Sequence, residues 1–338
     1  MARFIIRRIG LSILVLMGVL VIMFAVMRAA PVDPVTQYAG IRATEEQRAE
    51  VRTLLGLDKP VVVQMGVYIK NFFTGDWGAS LMTKRPVIDD IADTLPYTLD
   101  LIILSVILTL LIGIPLGVIS AVRKDRWPDH ASRVLAVGLI SIPAFWLALA
   151  LQYVFSGKLG VLPLSGAHAT EIALGDPITK ITGFPLIDSL ITGNLSAFGD
   201  YVAHLVLPVA SMTGIGLAGA QRITRSTMVE TLTEEYIVAK RSYGLPERRV
   251  QYRHGLKNSI GPVITSTAVF AASMIVTTFL IESIFSWPGM GSYVATGVAQ
   301  LDYPVIMGVT LVSAVGFLVL NTLADILLAV IDTRVRLG

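Results

Sequence analysis

The chain predicts an all-α polytopic membrane protein, and three observations carry that prediction. Its 338 residues are 54% hydrophobic and only 15% charged, too apolar a composition for a water-soluble fold. Its charges are gathered between long uncharged runs. Six of those runs approach the ~20 residues a helix needs to cross the hydrocarbon core. The net charge of +3 says little by itself. With no Cys there are no disulfides or thiolate metal sites, and His130, His168, His204 and His254 fall in no ligand spacing, so no metal site is expected.

The first run, residues 9–27, follows Arg3, Arg7 and Arg8. A signal peptide begins in the same way, but signal h-regions run to only about 7–15 residues, so a retained helix over 1–29 is expected. Residues 30–98 are too long for a bare connection and predict an extracytoplasmic subdomain with structure of its own. Within it, Thr44 with Gln47 three residues on reads as a helix start, and Gly56 as its stop. A second helix over 61–73 puts Val61, Met65, Tyr68 and Phe72 on one face before Gly75. Such a pair forms either a small cap or amphipathic helices resting on the lipid surface, and the sequence does not choose between them.

The transmembrane core spans 99–331, with further apolar windows at 101–122, 134–157, 201–221, 258–281 and 303–324. The last window is expected to continue past Asp325, leaving a cytosolic tail at 332–338. Residues 158–200 are rich in Gly, Pro and Thr and read as loop with short helical pieces. Pro115, Pro143, Pro208 and Pro262 each interrupt or open a span, and the small residues of "SMTGIGLAGA", 211–220, predict close helix–helix contact. With the N-terminus inside, cytosolic segments hold 17 of the 27 Lys and Arg. Eight of the remaining ten sit in the long first external segment, where the rule counts weakly, so both termini are expected to be cytosolic.

The largest basic cluster lies in the cytosolic loop 222–260. Val229, Leu232, Tyr236, Ala239 and Tyr243 recur at helical spacing and predict one apolar stripe. Gly244 supplies a stop and Pro246 a new start, after which Arg249, Arg253 and Lys257 recur about one turn apart. Like charges at that spacing repel, so something outside the helix compensates them. Anionic lipid attracts basic residues by about 1 kcal/mol each, but it requires no helix–Gly–Pro–helix break. A protein groove does, because aromatic anchors bury area while rim charges set orientation.

"EEYIVAKRSYGLPERRVQYRHGLKNSIGPVI", 234–264, resembles the EAA loop of ABC importer permeases, specifically the B-type permease subunit of the dipeptide/oligopeptide/nickel family. The resemblance extends along the chain through "PVDP" at 31–34, "LGLDKPVVVQ" at 55–64, "GDWGASL" at 75–81, "ESIFSWPGMG" at 282–291, "DYPVIMG" at 302–308 and "DTRVR" at 332–336, in the family order. It implies the ABC importer type I permease fold, with about six transmembrane helices and a cytosolic coupling helix between the fourth and fifth. It also implies coupling residues at Glu235, Tyr236, Ala239, Lys240, Arg241, Gly244, Arg248 and Arg249. Lys240 and Ser242 depart from the family pattern, which usually has Ala there. The partners it implies are a second, homologous permease, two cytosolic ATPase subunits carrying ATP and Mg, and an external substrate-binding protein; no nucleic acid is involved. The carried substrate ranges among relatives from dipeptides to longer peptides, glutathione, nickel chelates and haem.

Two other classes, enzyme and ion-coupled transporter, lack their marks in the sequence. This chain has no G-x-x-x-x-G-K-[ST] loop, so ATP hydrolysis is expected elsewhere, and no nucleophile–base pattern or paired carboxylates mark it as an enzyme. An ion-coupled secondary transporter needs ionisable groups near the midplane. Glu282 and Asp325 border apolar runs at their ends and not at their centres, and Asp325, one turn from Asn321, reads as its structural partner or as a gate.

Overall fold

The computed structural model describes residues 2–29, 34–40 and 42–331; the tail at 332–338 lies outside them. The described residues contain only helical elements, and they divide into two compact units: one of 94–292 with 316 onward, the other of 2–93 with 293–315.

The second unit opens with α1 (Ala2–Ala29), the first apolar run, followed by α2 (Pro34–Ala39) and α3 (Glu45–Leu54). Thr44 starts α3 through a capping box: its hydroxyl accepts from the Gln47 amide at 3.3 Å, and Gln47 Oε1 accepts from the Thr44 amide at 3.0 Å. α4 (Val61–Thr74) ends at a left-handed Gly75. Met65, Tyr68 and Phe72 turn partly inward as the spacing predicts, Tyr68 onto Phe24 of α1 and Phe72 stacking on Trp77, whereas Val61 stays exposed. Asp302 closes the unit, accepting from the Ser80 hydroxyl and the Leu81 amide at 2.7 Å each.

α5 (Val87–Val122) begins well before the predicted span, so residues 87–98 are helix continuous with it. The third window is where expectation and structure part most clearly. It is two helices, α6 (Trp127–Ser141) and α7 (Ala144–Leu151), bent by 101° and continued by a π-helical turn, Gln152–Lys158. Pro143 is the cause. A residue before proline is pushed out of helical space, and Ile142 sits at φ −95°, ψ 122°. The segment that follows carries α8 (Thr170–Gly175) and α9 (Pro185–Ile191). Its turn is tied by Asp188, which accepts from the amides of Ile181, Thr182 and Gly183 and from the Thr182 hydroxyl. Burial alone would raise the Asp188 carboxyl, yet these four donors hold it below the usual carboxylate range.

α10 (Leu195–Thr231) is the axis of the first unit, and 67% of its most apolar window is buried. It packs on α6, α7, α9 and α13 (Lys257–Ile284). Small residues permit this, as the sequence predicts. On α5, a Cβ at Gly117 would lie 2.4 Å from that of Thr224, and one at Gly113 would lie 2.8 Å from that of Ala220. Near one end, fully buried Asp129 of α6 accepts a fork from Arg225 Nε and Nη2 at 2.6 and 2.7 Å, with further bonds from Ser120 and the Asp125 amide. The core around Leu101, Tyr201, Met212, Met274 and Trp287 fills the interior.

At the far end of α13, Glu282 is fully buried and holds the loop before α14 (Met290–Ala299). It accepts from the Thr98 hydroxyl at 2.7 Å and from the amides of Gly291 and Ser292 at 2.6 and 3.1 Å. Trp287 Nε1 donates to the Tyr97 carbonyl beside it. Glu282→Ala leaves these buried donors without an acceptor, at about 1–3 kcal/mol each. The expected outcome is a thermal-unfolding midpoint in lipid nanodiscs lowered by several degrees, more than for Glu282→Gln, which keeps one acceptor oxygen; an unchanged midpoint for both would show that the carboxylate does not hold the loop.

Candidate coupling site

The basic loop is built from short pieces separated by two breaks. α10 stops at Thr231, Leu232 caps it, and the chain restarts as α11 (Glu235–Ser242) after Glu234 takes extended backbone at φ −64°, ψ 145°. The single stripe expected from Val229 to Tyr243 is therefore cut, because the break at 232–234 resets the helical phase. Val229 and Leu232 pack inward with Met228 and Leu256 against Val118 and Ala121. α11 has a different face toward the protein: Ile237 is fully buried, while Tyr236, Val238 and Tyr243 face outward, Tyr243 at 83% exposure.

Gly244 ends α11 at φ +76°, a conformation in which a side chain costs about 1 kcal/mol or more. There the amides of Gly244 and Leu245 donate to the Arg241 and Lys240 carbonyls, so two carbonyls of the last turn find partners past the helix end. Pro246 then opens α12 (Glu247–Arg249), followed by a π-helical turn, Val250–Leu256, that runs directly into α13. Together α12, this turn and α13 make one continuous helical element of 38 residues.

Arg241 joins the two arms. Its Nε and Nη2 donate to the Glu247 carboxylate at 3.2 and 2.9 Å, and Nη1 reaches the Leu232 carbonyl at 3.3 Å. The guanidinium thus clasps α11, α12 and the end of α10, closing over a cavity of about 220 Å³. Both partners are about half exposed, so the pair contributes about 1 kcal/mol at most, though its two-pronged geometry fixes an angle. Tyr236 is also engaged within the chain: its hydroxyl accepts from Asn258 Nδ2 at 2.7 Å.

Of the residues singled out from sequence, Glu235, Ala239, Arg248 and Arg249 lie exposed on the loop surface and Lys240 is half-buried. Arg241 and Gly244 shape the loop. Asn321 and Asp325 are both half-buried on α15 (Tyr303–Ile331), far along the chain from the loop. Sequence reasoning passed over Ile237, Val238, Glu247 and Tyr252. The signal for the first two was the phase of residues 235–242 taken alone, obscured by extending the count back to Val229.

Residues 113–337 match the family described as binding-protein-dependent transport system inner membrane component, and residues 1–102 match the N-terminal region of binding-protein-dependent transport system membrane components. The chain is 39% identical over 326 residues to the probable D,D-dipeptide transport system permease protein DdpB of Escherichia coli (strain K12), covering 96% of this chain and 95% of that protein. It is 36% identical to the dipeptide transport system permease protein DppB of Alkalihalophilus pseudofirmus over 98% of both chains. It is also 37% identical to the oligopeptide transport system permease protein AppB of Bacillus subtilis (strain 168), over 99% of this chain and 100% of that one. The described residues hold five apolar helices long enough to span a bilayer, six if the bent pair α6–α7 is counted as one span, and the chain belongs to the binding-protein-dependent transport system inner membrane components, as a multi-pass permease subunit of an ABC importer.

Proposed function

We propose that this permease carries dipeptides or short oligopeptides inward, and that the loop 222–260 is where a cytosolic ATPase grips it. The observation that carries the reading is α11: a short helix set off by breaks at both ends, fixed to its own protein by Ile237 and the Arg241–Glu247 clasp, and presenting Tyr236, Val238 and Tyr243 outward beside Arg248 and Arg249. An exposed aromatic–aliphatic patch edged by cations is the pattern of an interface core with a charged rim. The names of the relatives support the peptide cargo. In this reading the chain is non-catalytic, ATP and Mg are held by two partner ATPases, a second homologous permease completes the path, and an external binding protein delivers substrate. Both termini and the loop face the cytosol, and the segment 30–98 lies outside. Family membership leaves no support for the ion-coupled alternative.

Arg241 takes a revised part here. Its side chain is committed to Glu247 and Leu232, so it acts by holding the angle between α11 and α12, and Tyr243, the most exposed aromatic of the loop, is the stronger candidate for the anchor.

Truncating an interface anchor commonly costs about 2 kcal/mol or more, some thirtyfold in affinity. In reconstituted complexes, Tyr243→Ala and Gly244→Val are expected to leave the permease inserted and paired, but to lower ATPase retention at least tenfold along with labelled-dipeptide uptake. Full retention and uptake in both would remove the coupling assignment. For the clasp, Arg241→Glu and Glu247→Arg should each weaken ATP turnover, while the exchanged pair recovers most of it; no recovery would mean that Arg241 touches the partner directly. Topology is open to single-Cys labelling in this Cys-free chain. Positions at 120–132 and 231–258 should be shielded from an impermeant external reagent and those at 44–84 reactive, and labelling of a Cys at Glu247 from outside would invert the orientation.

A further inference from the structure

The second unit forms a half-open cavity of about 430 Å³ that the coupling reading does not use. Its walls come from the end of α1 (Phe24, Met27), from Leu55 just past α3, from α4 (Tyr68), from Trp77, and from α15 (Leu311), with Tyr38, Phe72 and Tyr303 adding three more aromatic rings. Two facts fix its depth in the bilayer. Phe24 and Met27 are the last turn of an apolar span that ends at Arg28, and Tyr303 and Pro304 begin another span. The cavity therefore lies at one membrane–water boundary, where aromatic rings concentrate in any membrane protein.

An aromatic belt accounts for the rings but not for the concave volume between them, nor for Tyr68. The Tyr68 hydroxyl is buried and has no hydrogen-bond partner among the described residues, which is costly for a polar group in apolar surroundings. Burial pushes its pKa up to about 12, so it stays a neutral donor. The rim is polar. Gln64 donates to the carbonyls of Leu57 and Lys59 and accepts from Arg28 Nη1 at 3.1 Å, which brings the guanidinium to the edge; Lys59 is exposed on the rim, and Asp76 stands there as well. Among the described spans α1 is the least covered, with only 11% of its most apolar window buried.

We infer that this cavity is a binding site for one membrane phospholipid: an acyl chain fills the apolar interior, its ester carbonyl accepts from the Tyr68 hydroxyl, and an anionic headgroup lies beside Arg28 and Lys59. The three features match the three parts of such a molecule in order of depth. A peptide segment from a partner would bring backbone N–H and C=O groups that an interior with one orphan donor leaves unsatisfied. Bilayer lipid is present at this depth at high concentration, so even a weak site is filled.

Trp77 lines the cavity and serves as the probe. The full chain is placed in phosphatidylcholine nanodiscs containing increasing phosphatidylglycerol brominated on its acyl chains, and quenching lost in Trp77→Phe is assigned to the cavity. That component should saturate at a low mole fraction of brominated lipid. Tyr68→Phe keeps the ring and removes the donor, and should raise the half-saturating fraction about threefold to tenfold, the worth of one hydrogen bond. Val67→Phe, which adds bulk to the lining, should abolish saturation, and Lys59→Glu should reduce the preference for phosphatidylglycerol over brominated phosphatidylcholine. Native mass spectrometry supplies a second reading, with one more phospholipid retained through detergent washing by the natural chain than by Val67→Phe. Quenching that rises in simple proportion to bulk lipid, is indifferent to Tyr68→Phe and Val67→Phe, and comes with equal lipid counts would overturn the site, leaving only lipid on the outer surface. Loss of the saturable component on adding a binding protein or second permease, with no lipid retained in the assembled complex, would likewise overturn it in favour of a protein occupant.

Discussion

Everything in this chain answers to one constraint: a bilayer offers no water to a broken helix, so each backbone group freed inside the membrane needs a partner from the protein itself. Where the chain breaks, the structure supplies one. At Ile142–Pro143 the lost helical bond is replaced by the start of a new helix, with Leu147 donating back to the Pro143 carbonyl. Where α13 ends, Glu282 takes up amides that α14 leaves unsatisfied at its start, and the carboxylate is tolerated in a buried place because three donors surround it. Polar residues in these spans are thus mostly explained by local backbone geometry.

The same constraint shapes how the spans meet. Lipid tails are as apolar as leucine, so helices associate through close packing and internal hydrogen bonds instead of hydrophobic expulsion. Small residues on α5 and α10 serve the first need, at Gly113 against Ala220 and Gly117 against Thr224. Side-chain ties serve the second, as in Tyr201 with Asp100 or Gln221 with Ser132. The Asp129–Arg225 fork belongs to the same class: a charge pair buried in one unit, which holds α6 to α10 while satisfying the turn at Asp125.

Sequence legibility followed physical locality. Spans, caps and stops are written in contiguous residues, which is why Thr44 with Gln47 and the left-handed stops Gly75 and Gly244 were readable. The bend at Pro143 was noted but not its size, since hydropathy is blind to direction and runs unchanged across the turn. On the loop, composition marked the segment while the register was misjudged, because a helical count assumes an unbroken helix and Glu234 breaks it. The pairing of Arg241 with Glu247 spans six residues across a glycine and a proline, and no periodicity reports such a contact. The cavity of the second unit was out of reach for a stronger reason, because its walls come from residues nearly 290 apart in the chain.

The unbroken run from Glu247 to Ile284 has a mechanical consequence. At about 1.5 Å per residue, 38 residues make a rod about 57 Å long, starting beside the Arg241 clasp and ending at Glu282. Between those points the chain stays helical, through the π-helical turn at Val250–Leu256 and past Pro262. A tilt of about 10° around one end would carry the other roughly 10 Å. The rod therefore links the Arg241 clasp at one end to the buried Glu282 carboxylate at the other through a single helical element.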